Sequence, residues 1–127
     1  MERTQAPVRP LAHLPPGTGV GPWRVVAWAG RGVYGAVYRA VHVGQEHSEP
    51  VALKLALLPG DPRFAREVEL LSRMRHPSVP RLLDSGEWRH PSGSTHPCIT
   101  MDAQVALTRS SRGRSGTGRL GLVARSR

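Results

Sequence analysis

The sequence predicts one α+β domain of five strands and one helix over residues 22–102. Three observations carry this. Short stretches rich in β-branched, aromatic and other apolar residues recur between Gly, Pro and polar breaks, as strands do. One stretch, residues 62–75, instead spaces its apolar residues at helical intervals. The flanks, 1–21 and 103–127, show neither period.

The elements follow in order. "WRVVAWAG" (Trp23–Gly30) and "AVYRAVHV" (Ala36–Val43) read as strands joined by a glycine-rich hairpin turn, with Val37, Val41 and Val43 expected on one face. "VALKLALL" (Val51–Leu58) is a third strand, apolar except for Lys54. Pro59, Gly60, Asp61 and Pro62 break it, and Asp61 followed by Pro62 has the form of an N-cap and a first helical residue. Over 62–75, Phe64, Val68, Leu70, Leu71 and Met74 share one arc, with Arg66, Glu69 and Arg73 opposite. "RLLDSGEW" (Arg81–Trp88) and "CITMD" (Cys98–Asp102) complete the strands, joined by a loop, "RHPSGSTHP". Residues 1–21, rich in Pro, Gly and Ala, read as a disordered leader. Residues 103–127 read as a basic low-complexity tail.

Composition narrows the function classes. The net charge is +9, but residues 103–127 hold six arginines and no acid, so the body is nearly balanced at +3. The tail arginines could contact nucleic-acid phosphates, but no aromatic residue interleaves them to stack on bases. Nonspecific adhesion through the tail is the expectation. No run of about 18 apolar residues marks a membrane span, and no apolar segment near the start marks a secretory signal. Cys98 is the single cysteine, which excludes an internal disulfide and makes the cytoplasm the expected compartment. His90, His96 and Cys98 match no standard metal spacing, and a solvated loop is the simpler reading of them.

Two oddities bear on chemistry. "GRGVYGAV" (Gly30–Val37) is a G-x-G-x-x-G pattern, whose backbone can approach phosphate closely. A dinucleotide fingerprint would need a helix to begin there, yet a strand-like segment follows Gly35. A Walker loop would need Gly-Lys-Ser/Thr, which does not occur. The second oddity is a pair of charges. Lys54 is the only lysine among 18 basic residues and lies inside an apolar strand. Either it has a task for a compact ammonium or it snorkels at a sheet edge. Glu67 falls within the apolar arc of the helix. Either it pairs with a cation, for which Lys54 is the natural candidate, or it reaches solvent at the helix edge.

Together these residues resemble the smaller, N-terminal lobe of the protein-kinase family, bacterial-type Ser/Thr kinases in particular, over Trp23 to Asp102. "GRGVYGAV" is similar to the glycine-rich loop and "VALK" to the strand that carries the phosphate lysine. "REVELLSRMRHPSVPRLLD" resembles the αC helix and the next strand. "CITMD" resembles the strand that ends at the hinge. The resemblance implies a five-stranded antiparallel sheet with one αC-like helix. It implies that Lys54 orients the α- and β-phosphates of ATP, with Glu67 as its ion-pair partner. It further implies nucleotide contacts from Gly30, Arg31, Gly32, Val33, Tyr34, Gly35, Val37, Ala52, Met101 at the gatekeeper position and Asp102 at the start of the hinge.

The family's H-R-D-x-x-x-x-N and D-F-G segments are absent from these residues. They supply the base and the metal ligands of phosphoryl transfer. The expectation is therefore an ATP-binding lobe that does not transfer phosphate alone, with no metal ligand of its own, Mg-ATP being the ligand of a full-length kinase. The expected partners are ATP and, in a full-length form, a protein substrate and a larger lobe. The abrupt change after Asp102 leads to the expectation of a kinase interrupted by a frameshift near codons 102–104, or of a genuine short protein with a basic tail. The alternatives are a non-catalytic interaction module on a kinase-like scaffold and a nucleic-acid binder acting through its tail.

Overall fold

Side chains alternate between the two faces of a strand, and in β4 (Val51–Ala56) the alternation divides the molecule. Val51, Leu53 and Leu55 enter one core cluster. Ala52 and Ala56 enter the other, and Lys54 shares their face. The computed structural model describes residues 10–103, 106 and 107. Around β4 it builds an antiparallel sheet in the order β1-β2-β3-β4-β6-β5. The strands are β1 (Gly19–Val20), β2 (Trp23–Arg31), β3 (Gly35–His42), β5 (Leu82–Arg89) and β6 (Thr95–Asp102). Helix α1 (Arg63–Arg73) follows β4 and carries the chain to the outer strand β5, from which β6 returns to pair with β4.

The sheet has six strands where the sequence predicts five. The extra one, β1, pairs Gly19 with Arg24 and Val20 with Trp23. It belongs to the segment expected as a disordered leader, of which residues 10–21 are ordered against the sheet. The Leu11 backbone N–H donates to the Leu57 carbonyl at 2.8 Å. The Leu14 N–H donates to the Tyr38 hydroxyl at 3.1 Å. Leu14 and Val20 are buried in the first cluster. Three apolar residues spread over ten positions make no period, yet they suffice to cover a sheet face when backbone bonds hold the segment extended. Residues 1–9 of the expected leader lie outside the described residues, as do the six arginines of the expected tail. The tail boundary also shifts, because Ala106 and Leu107 are buried in the second cluster.

Other boundaries move by a few residues. β3 is covered on both faces, with Ala36, Tyr38 and Ala40 in one cluster and Val37 in the other, while Val43 is exposed. Two register shifts in β2, between Val25 and Ala27 and between Trp28 and Gly30, mark bulges that add local twist. His96, expected in a solvated loop, is a buried residue of β6, with Nδ1 2.9 Å from the Ala56 carbonyl and Nε2 2.9 Å from Ser94 Oγ. β6 starts earlier than predicted, and the buried His96 has partners for both ring nitrogens there.

Helix α1 begins as its sequence suggests. Asp61 Oδ1 accepts the Arg63 backbone N–H at 3.0 Å, a capping bond. It ends at Arg73, and Met74 is already extended, with φ −94° and ψ 137°. Phe64 is buried, Val68 and Leu71 are half-buried, but Leu70 is 53% and Met74 47% exposed. The apolar arc is therefore wider than the surface the sheet offers it.

Candidate functional site

The second face of the sheet carries the charged pair. Lys54 lies between Val37 of β3 and Ile99 of β6 in the strand register. Glu67 sits one helical turn after Phe64, the buried anchor of α1, so the anchoring ring aims the carboxylate at the sheet. Lys54 Nζ donates to Glu67 Oε1 at 3.0 Å and to Oε2 at 3.2 Å. Both side chains are about one-fifth exposed, at 19% and 20%. The pair is neither sealed off nor loose on the surface.

The glycine-rich loop closes over this pair. The Gly32 N–H donates to the Gly35 carbonyl at 2.7 Å, which makes the tight turn between β2 and β3. Gly35 leaves room that a side chain would crowd: a Cβ there would stand 3.0 Å from Lys54 Cε and 3.2 Å from both Lys54 Cγ and Phe64 Cζ. The third glycine of the pattern thus lets the strand backbone lie directly on the lysine stem.

Tyr34 is the residue whose part the sequence did not disclose. Its hydroxyl donates to Glu67 Oε1 at 2.7 Å, the same oxygen that Lys54 binds. Lys54 Nζ and Arg63 Cζ each lie 4.6 Å from its ring centroid, within cation–π range. The Phe64 ring meets it edge-on at 5.5 Å. Burial, then the hydrogen bond to Glu67 and that carboxylate's charge, pushes the Tyr34 phenol up to about 12. Arg63 is itself fixed by Asp61, through Nη2 to Oδ2 at 2.8 Å and Nε to Oδ1 at 3.0 Å. The side-chain bond from Arg63, then its backbone N–H, holds the Asp61 carboxyl below the usual range. Asp61 was legible as a cap. The aromatic residue at the loop tip and the arginine two positions after the cap were the available signals for the rest.

A cleft of about 730 Å³ opens beside the pair, a size that suits a small-molecule ligand. Of the expected nucleotide contacts, Arg31, Gly32, Tyr34, Gly35, Val37, Lys54 and Met101 line it. Four do not. Gly30 is buried in β2 opposite Val37, and Val33 is 87% exposed at the loop tip. Ala52 is fully buried behind the cleft wall. Asp102 pairs with Val51 and donates its N–H to the Arg81 carbonyl at 3.0 Å. Among the lining residues Arg31, Lys54, Arg63 and Arg66 face a single carboxylate, Glu67, so the cleft favours an anion. Its apolar wall comes from Val37, Met101, Leu70, Leu71 and Met74.

The fold has counterparts of known structure. The kinase domain of Mycobacterium tuberculosis PknI is 29% identical, with a TM-score of 0.52, over 72% of this chain and 37% of that domain. The fold is that of a protein-kinase N-lobe. A single-residue variant of the PknI domain gives 28% identity and a TM-score of 0.52 over 72% of this chain and 36% of that one. The autoinhibited serine kinase domain of the giant muscle protein titin is 18% identical, with a TM-score of 0.48, over 64% of this chain and 24% of that domain. The N-lobe described here therefore spans little more than a third of the PknI kinase domain. No protein-family model and no curated protein sequence matches the chain. Among the described residues of the N-lobe, no helix is long and apolar enough to cross a membrane. Nor do those residues group three His, Cys, Asp or Glu side chains around a metal position.

Proposed function

We propose that the chain is the ATP-binding N-lobe of a Ser/Thr protein kinase. The observation that carries the reading is the Lys54–Glu67 pair, held at 3.0 Å beneath the glycine turn and on the wall of an anion-favouring cleft. The cleft fits the nucleotide: Val37 and Met101 offer an apolar wall to a base, and Lys54 stands where a polyphosphate would end. Bound ATP supplies the transferable phosphoryl group. Glu67 fixes the direction of the Lys54 ammonium, and Gly35 lets the loop backbone lie close to the phosphates. Magnesium would arrive on the nucleotide. The 127 residues contain neither H-R-D-x-x-x-x-N nor D-F-G, so on their own they bind and orient ATP without transferring phosphate.

Thermal melts of the chain with Mg-ATP, adenosine or tripolyphosphate test this. The expected order of stabilisation is Mg-ATP above either part alone, since the base and the phosphates use different walls. Equal, negligible shifts for all three would overturn it.

A second reading, an interaction module on the same scaffold, is favoured by the exposed apolar edge of α1 at Leu70 and Met74. It would leave the melts insensitive to Mg-ATP.

A further inference from the structure

We propose that the Tyr34 side chain is a gate: it fills the Lys54 end of the cleft, and a phosphate group must displace it to reach the ammonium. This rests on the nucleotide reading above. A lysine ammonium has three N–H donors. Two are taken by the Glu67 oxygens, at 3.0 and 3.2 Å. The Tyr34 ring lies over the same nitrogen at 4.6 Å from its centroid. Little of the ammonium is left for an incoming anion.

The gate is the side chain rather than the loop. The Tyr34 carbonyl accepts the Leu57 N–H at 2.9 Å, and the Gly32–Gly35 turn bond closes the loop at 2.7 Å. Both can persist while the ring rotates out. The tip beside it, Val33, is largely exposed and offers little obstacle. The closed position is held by groups that a phosphate competes for. Lys54 and Arg63 both face the ring, and both are cations that an anion draws away from it. The hydroxyl bond to Glu67 is the third hold, and it is lost when the ring leaves.

The test is calorimetric titration of the full chain with Mg-ATP and with adenosine, for the wild type, Tyr34→Phe and Tyr34→Ala. If the open state is about one-tenth populated, removing the ring tightens ATP binding about tenfold. Tyr34→Phe should show a smaller gain, and adenosine should bind all three alike. Unchanged or weaker ATP binding by Tyr34→Ala, with the wild type binding normally, would overturn the gate and leave the nucleotide reading standing. Absence of ATP binding in the wild type and both variants would overturn both. A second readout needs no variant that must fold with a shortened side chain. In the wild type labelled with 13C at the tyrosine Cζ, saturating ATP should move the Tyr34 signal and leave that of Tyr38. A stationary Tyr34 signal in the ATP-bound chain would contradict the gate.

Discussion

The two tyrosines of the chain sit on opposite faces of the same sheet, and their surroundings differ. Tyr38 lies in the face covered by residues 10–21, where its hydroxyl accepts the Leu14 N–H at 3.1 Å among buried aliphatic side chains. Burial raises its phenol pKa, against smaller opposing effects of the Leu14 N–H bond and the Arg31 charge. Tyr34 lies in the face that carries α1, bonded to a carboxylate and flanked by two cations. The first face is closed by chain and filled with Leu and Val. The second is left partly open and holds its charges a fifth exposed. Buried aliphatic packing is concentrated on one side of β4 and the Lys54–Glu67 pair lies on the other.

Substitutions can break that division. The largest effect belongs to the closed face. Leu53 is fully buried at its centre, and Leu53→Ala should cost about 2–5 kcal/mol. In a domain this small that lowers Tm by roughly 10 °C or more, as read by a thermal melt. Gly35→Ala should come next and should affect both properties, because its Cβ meets buried Phe64 as well as Lys54. Overpacking of this kind costs about 1–3 kcal/mol, and the displaced lysine should weaken nucleotide binding in the same sample. Glu67→Gln should sit on the other side of the division. It should reduce ATP affinity several-fold by calorimetry and lower Tm by less than Leu53→Ala does, since the pair is partly open to solvent.

The smallest effect is the cap. Asp61→Asn keeps a capping oxygen but loses the charge that Arg63 holds. Because the folded carboxyl titrates below its unfolded value, the wild type gains stability from it above the unfolded pKa. That gain is lost as pH falls through the lower folded pKa. Urea titrations at neutral pH and on the acid side should show wild type and Asp61→Asn converging toward acid. A constant difference across the range would assign the effect to packing instead.

The charged pair was legible because each partner broke a local pattern. Lys54 interrupts an apolar strand, and Glu67 interrupts the apolar arc of a helix. Such breaks are visible without knowing the fold, and a carboxylate so placed needs a cation. The five predicted strands were legible from composition and turn residues, with boundaries off by a few positions. β1 was not, since two residues cannot show a period and its pairing is fixed by the turn at Gly21, where φ is 60°. His96 was misplaced because its partners, Ala56 and Ser94, join it only through the β4–β6 pairing and the turn before β6. Tyr34 was readable as a loop residue but not as a partner of Glu67, 33 positions away. That contact depends on the direction of one side chain at a hairpin tip, which composition does not encode.

The central claim is that the open face binds ATP through the Lys54–Glu67 pair. Calorimetric titration of Mg-ATP into the wild type and Lys54→Met tests it most directly. The pair assignment requires measurable binding by the wild type and at least about a tenfold loss in the variant, or about 1.4 kcal/mol, with the fold retained by circular dichroism. Equal affinity in the two folded proteins would contradict it.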